Sequence, residues 1–146
     1  MGIKRSSFKL KFKIEELIIY ETEYWLWSLR PVQSTLGAGV LSLKRECPVF
    51  SELKQEEFSD FSNVIKVIEK TLKKAFNYDI MNYLMLMMVD KQVHYHVIPR
   101  YESTIDFAGT SWEDSGWPGV PNLAGEEIEI KVLEDIKYLI SKNLTI

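Results

Sequence analysis

From Gln55 to Phe76, apolar residues recur at Phe58, Phe61, Ile65, Ile68, Leu72 and Phe76. These steps of three and four lay one apolar stripe along a helix and leave Lys66, Glu69, Lys70 and Lys73 on the wet face. Before it, between Lys9 and Lys44, "KFKIEELIIYET", "YWLWSLR" and "VLSLKR" read as antiparallel strands parted by the turn-prone "PVQSTLGAG". After it, "IMNYLMLMMV" is an unbroken apolar run between Asp79 and Asp90, suited to a central strand. Its methionines read as flexible core filler, because no Cys or His is interleaved to make a soft metal site. The short "VDKQ" turns the chain back as a hairpin into "QVHYHVIPRY", where Pro99 marks the end of ladder pairing or the start of an edge. "FAGTSWEDSGWPGVPNLAG", Phe107 to Gly125, reads as an ordered loop pinned by Trp112 and Trp117. The remaining apolar spacing predicts a C-terminal helix over about 126–142, with acids in its first turn.

The 146 residues suit a single domain spanning 1–146, with a core over about 19–102. A net charge of -3 argues against a nonspecific grip on nucleic acid, which needs many Lys and Arg against phosphates. The lone Cys47 rules out an internal disulfide and a cysteine cluster for zinc. "MGIKRSSFKL" lacks the apolar stretch of a signal peptide, and "YLMLMMV" is too short to span a bilayer, so the expectation is a cytoplasmic protein without a membrane partner. Gly2 and Ser6 match a myristoylation pattern of low specificity.

Both histidines of the chain fall in one strand-like segment, as His94 and His96. Side chains at i, i+2 and i+4 of a strand share a face, so Gln92, His94 and His96 form a row that Asp90, Ile98 and Arg100 continue. Three readings are open. The pair can hold a metal, with a third ligand from Asp90, Glu102 or a distant segment; cupins share only the HxH pair, and their later His is absent here. His94 can act as a nucleophile toward a phosphoryl or nucleotidyl group, with its tautomer fixed by a hydrogen bond and with His96 and Gln92 beside it. Or both can be structural.

"QVHYHVIPR" resembles the signature of the HIT (histidine triad) family of nucleotide hydrolases and transferases, with Gln92 in place of the first His. "ETEYWLWSLRPVQSTLGAGVLSLKR", "FSELKQEEFSDF" and "MNYLMLMMVD" resemble the family's upstream strands, the opening of its first long helix and its penultimate strand. The resemblance runs from about Ile19 to Glu102. It implies an α+β fold, a mainly antiparallel sheet of about five strands with a long central helix and a C-terminal helix, commonly as a homodimer. It implies a nucleotide substrate, a dinucleoside polyphosphate or nucleoside phosphoramidate, attacked at the α-phosphate by His94 to form a nucleotidyl-histidine. No cofactor is required, although a divalent cation can accompany the substrate. His96 then contacts phosphate and leaving group, Ser28 takes the place of a ribose or phosphate contact, and Leu26 and Val40 lie near the purine. The Gly-rich phosphate loop of many members has no counterpart in "VDKQ", so Lys91, Arg100 or a donor from the Trp loop is expected to substitute. Gln92 cannot exchange a proton as imidazole does, but its amide can bond a phosphate oxygen. The alternative is a weak or inactive nucleotide-binding or interaction module of the same fold.

Overall fold

The protein is described here over residues 8–146 by a computed structural model. Five strands form one antiparallel sheet: β1 (Ile18–Glu21), β2 (Trp25–Leu29), β3 (Gly39–Leu43), β4 (Ile80–Leu84) and β5 (His94–Arg100), in the spatial order β1-β2-β3-β5-β4. Helix α1 (Gln55–Phe76) connects β3 to β4. A hairpin of β6 (Ile105–Phe107) and β7 (Thr110–Trp112) follows β5, and helix α2 (Ile130–Lys142) comes last. The architecture is the expected α+β one.

Strand alternation divides the sheet into two apolar faces. Trp25, Trp27, Leu29, Leu41, Leu43 and Val97 point to one side, where they pack with Val64, Ile68 and Leu72 of α1 and Leu133, Ile136 and Ile140 of α2. Leu26 and Val40 point to the other side and pack with Phe8, Phe12 and Ile14. Burial on both faces makes β2, β3 and β5 the rigid centre of the molecule. Gly39 lets β3 lie close to β2, since a Cβ there would stand 2.8 Å from the Ser28 carbonyl oxygen and 2.9 Å from the Trp27 indole nitrogen.

Four expectations are corrected. The segment "KFKIEEL" is not strand: residues 8–12 are helical and 13–16 form turns, so Phe8 and Phe12, four apart, fall on one side. Only Ile80–Leu84 of the apolar run is strand, at the sheet edge rather than its centre. Beyond it Leu86, Met88 and Val89 are 56%, 78% and 78% exposed, because the chain must leave the sheet to bend back into β5. Pro99, by contrast, stands as expected where a ladder ends, since the last β3 pair is at Val97, although on its other side it still lies opposite Met81 of β4. The Trp-rich segment begins as the β6–β7 hairpin, turned at Ala108 and Gly109, both with positive φ, and α2 starts only at Ile130, so its first turn holds no acid.

Helix α1 has the expected bounds and most of the expected stripe, with Ile68, Leu72 and Phe76 buried and Phe61 and Ile65 packed against the core. Phe58 is instead exposed, while Glu57 turns inward to meet Arg45 and Val64 joins the packing. Among the described residues no helix is long and apolar enough to cross a membrane. The Gly2–Ser6 pattern lies outside the described residues.

Candidate functional site

Antiparallel register assembles the site. Ser28 pairs with Val40, Val40 with His96, and His96 with Leu84, a row crossing four strands; Leu26, Ser42 and His94 form the next row. Directly opposed residues share a face. The structure therefore brings Leu26, Ser28, Val40, His94 and His96 together on the side of the sheet away from α1.

His94 is held from behind. Its Nδ1 lies 2.5 Å from the Gln92 carbonyl oxygen. A carbonyl can only accept, so Nδ1 carries the proton and Nε2 keeps its lone pair. Burial pushes the His94 pKa down, with the Gln92 contact opposing. The imidazole is thus neutral at neutral pH, with a nucleophilic nitrogen directed away from the anchoring carbonyl.

Gln92 does not present its amide to the site. Its Oε1 accepts from the Cys47 N–H at 2.9 Å, and its Nε2 donates to the carbonyls of Leu43 and Arg45 at 2.9 and 2.8 Å. Both donors are used, on backbone, so the amide expected to meet a phosphate oxygen instead ties the end of β3 to the start of β5. Arg45 is fixed in turn, donating to both carboxylate oxygens of the buried Glu57 at 2.6 and 2.9 Å. A chain of bonds from α1 through Arg45 and Gln92 thereby sets where the Gln92 carbonyl, and with it His94, can sit.

His96 stands next to His94, ring centroids 5.2 Å apart and nearly perpendicular. Its Nδ1 is buried without a hydrogen-bond partner, as are the Ser28 hydroxyl and Arg30 Nε. Each such group loses about 1–3 kcal/mol of solvation unless a ligand or water meets it, so three on one side of the sheet mark a place built for a polar guest. Burial, then the Arg30 charge, lowers the His96 pKa to about 4. Arg30, missed in the sequence reading, lines a cleft of about 210 Å³ with Lys11, Phe12, Leu86–Asp90, His94 and His96. Its one signal was a cation placed two residues after Ser28, at the end of the same strand face.

Arg100 lies elsewhere. Its guanidinium bonds Asp114 at 2.7 and 3.0 Å, Asn82 at 2.7 Å and the Gly119 carbonyl at 2.9 Å, which commits the expected phosphate contact to holding the Trp-rich segment. Trp112 donates from its indole to the Gln33 carbonyl at 3.0 Å, and Trp117 stacks 6.0 Å from the Arg100 guanidinium. Among the described residues no three His, Cys, Asp or Glu side chains are grouped to hold a metal ion.

Residues 11–103 match the HIT domain family, well over half of the chain. The chain belongs to the HIT family. No curated protein matches it in sequence. Solved structures share its fold: a histidine triad protein of Sinorhizobium meliloti is 21% identical with a TM-score of 0.71 over 90% of this chain and 93% of that one. A Hit-like protein of Bartonella henselae, described as involved in cell-cycle regulation, is 19% identical with a TM-score of 0.68 over 93% and 92%. A hypothetical histidine triad nucleotide-binding protein of Sulfolobus tokodaii is 20% identical with a TM-score of 0.67 over 87% and 82%.

The buried imidazoles of this HIT domain make its stability depend on pH. For His96 the folded pKa of about 4 lies below the ordinary 6.5, so its contribution is complete above pH 6.5 and is lost as pH falls from there toward 4. The unfolded chain takes up a proton that the folded site refuses, a loss of about 3 kcal/mol in full. His94 shifts the same way. Urea unfolding of wild type and His96→Gln at pH 7 and pH 4 should show the larger drop in wild type; equal drops would remove His96 as the cause.

Proposed function

We propose that this chain binds a nucleotide and cleaves a nucleoside phosphate derivative, a dinucleoside polyphosphate or a nucleoside phosphoramidate, at the α-phosphate through His94. The observation that carries this is the Gln92 carbonyl on His94 Nδ1, which leaves a neutral, correctly protonated nucleophile in a cleft with an unsatisfied cationic donor, Arg30. Family membership and a nucleotide-binding protein among the structural neighbours support the same class.

In the first step His94 Nε2 bonds to the α-phosphorus, and the phosphorus–leaving-group bond breaks with its electron pair going to the leaving group, an amine taking its proton from solvent. Water then attacks the nucleotidyl-histidine and gives up a proton to solvent, the phosphorus–nitrogen bond breaks with its electron pair returning to Nε2, and the nucleotide leaves a neutral imidazole. Arg30 faces the growing negative charge on the phosphoryl oxygens. Ser28 and His96 offer the remaining polar contacts, while Leu26 and Val40 form the floor against which a base packs. Gln92 stands in this reading where the family's first His belongs, with the role of holding the carbonyl rather than moving a proton.

A second reading, nucleotide binding with little turnover, is favoured by one feature. With its pKa near 4, His96 is unprotonated at neutral pH and cannot supply a leaving group with a ready proton.

The test is AMP release from adenosine phosphoramidate and diadenosine polyphosphate, with and without chelator, by wild type and Gln92→His. Slow release that chelator leaves unchanged is expected. Gln92→His should be no faster, since an imidazole cannot remake the three backbone bonds, and should unfold at lower urea. Binding of AMP without release would leave the binding module, and release abolished by chelator would put a metal in the mechanism.

A further inference from the structure

We propose that the cleft between α1, β1 and the residues after α2 is a second binding site, which takes a small phosphate monoester on the face of the sheet opposite His94. It stands independently of the nucleotide reading above.

The wet face of α1 supplies the cations. Of the charged residues that the periodicity put there, Glu69 accepts from the Tyr83 hydroxyl and Lys73 donates to the Tyr78 carbonyl. Lys66 and Lys70 remain, and among the described residues neither has a carboxylate within ion-pair distance. They stand one turn apart on the same side of the helix, where like charges repel and lower helix stability. The helix dipole does not account for them, because it favours cations in the last turn, which Lys73 and Lys74 occupy. An anion held between the two ammonium groups turns that repulsion into attraction.

Both lysines line a cleft of about 300 Å³ together with Tyr20, Asn63, Val67 and Thr145. Three segments wall it. Asn63, Lys66 and Lys70 follow one another along α1 at steps of three and four, which keeps them on one side. Tyr20 pairs with Trp27, whose ring lies in the core beneath the helices, so its side chain reaches that same side of the sheet. The Thr145 N–H donates to Thr71 Oγ1 at 3.0 Å and brings the chain after α2 against α1. Asp60, one turn before Asn63, accepts from the Thr22 hydroxyl at 2.6 Å and the Tyr24 N–H at 3.0 Å and does not line the cleft.

The lining selects the ligand. Lys66, Lys70, the Asn63 amide and the Tyr20 hydroxyl all offer hydrogens, and none of them has a hydrogen-bond partner among the described residues. Two positive charges match a dianion, which a phosphate monoester is above its second pKa of about 6. A carboxylate would leave one ammonium unmatched. Val67 floors the cleft with an apolar contact for the organic part of the ester. That part is compact, since small-ligand sites run from about 300 to 1,000 Å³ and this cleft is at the lower end.

The test is titration at constant ionic strength followed by amide NMR, with glycerol 3-phosphate as the monoester, inorganic phosphate as the bare group and acetate as the monoanion. Glycerol 3-phosphate should shift the amides of Tyr20, Asn63, Lys66, Lys70 and Thr145 to saturation, and should bind more tightly than inorganic phosphate. Lys66 and Lys70 are exposed, so Lys66→Gln/Lys70→Gln should fold as wild type does and should bind the ester at least about tenfold more weakly. Shifts that do not saturate, equal shifts with acetate, or wild-type affinity in the double variant would overturn the site. Shifts confined to His94, His96 and Arg30 would overturn it as well, by placing the anion in the histidine cleft. Inorganic phosphate that binds as tightly as the ester, or more so, would overturn the assignment to a monoester.

Discussion

His94→Ala should release nucleotide from an α-phosphate derivative about a thousandfold more slowly than wild type while binding AMP within a few fold of it. A thousandfold corresponds to about 4 kcal/mol of transition-state stabilisation, the scale expected when a covalent route is removed and only positioning and charge remain. The loss should fall on kcat, because the imidazole enters bonding only as the reaction proceeds. The surroundings stay intact: the Gln92 carbonyl can meet water, and Arg30, Ser28 and His96 keep their places. Acid-quenched wild type should lose a labelled nucleotide that base-quenched wild type retains, as a phosphorus–nitrogen bond requires, and the variant should carry no label. Full activity in His94→Ala would end the nucleophile assignment.

Asp114→Ala or Arg100→Ala should cost about 3–5 kcal/mol of folding stability, since each removes one partner of a buried ion pair and leaves the other charged and unpaired. The Arg100 and Asp114 side chains are 3% and 2% exposed, and the pair is bidentate. Asp114 also accepts from the Tyr101 N–H, and Arg100 donates to Asn82 and Gly119, so the same cluster joins β5 and β4 to the segment after β7. Urea unfolding should show the drop, with AMP affinity of the folded protein little changed. A tenfold fall in AMP affinity with stability intact would return Arg100 to the ligand.

Arg100 shows how far sequence reasoning reaches. Its place in a row with His94 and His96 was legible, because strand parity alone sets the face. Its occupation by Asp114, fourteen residues on, was not, because no local pattern records which carboxylate a later loop returns. The same holds for Gln92. Its row position was readable, but the choice between facing the site and bonding residues 43, 45 and 47 depends on where β3 ends in space. The apolar run after Asp79 misled for a related reason. Hydrophobicity marked it for the core, while the need to reverse direction into β5 put Leu86, Met88 and Val89 at the rim of the histidine cleft.

Phe8 and Phe12 are the clearest case. In "FKLKFKI" apolar and charged residues alternate as a strand would have them, yet the segment turns helical and lays both rings on the imidazoles. A short amphipathic stretch carries no preference strong enough to outweigh an available apolar surface, so docking decides its form.

By itself, then, the sequence determined the long helix, the strands that flank it and the shared face of His94 and His96, all from periodicity, which backbone geometry enforces locally. Leu26, Ser28 and Val40 entered through the family resemblance, and the register of β2, β3 and β5 put them on the histidine face. Only the tertiary structure decided that the Gln92 amide bonds backbone, that Arg30 rather than Arg100 lines the cleft, and that the Phe8 and Phe12 rings lie against the imidazoles. Those depend on long-range partners, whose identity the packing of the whole chain selects.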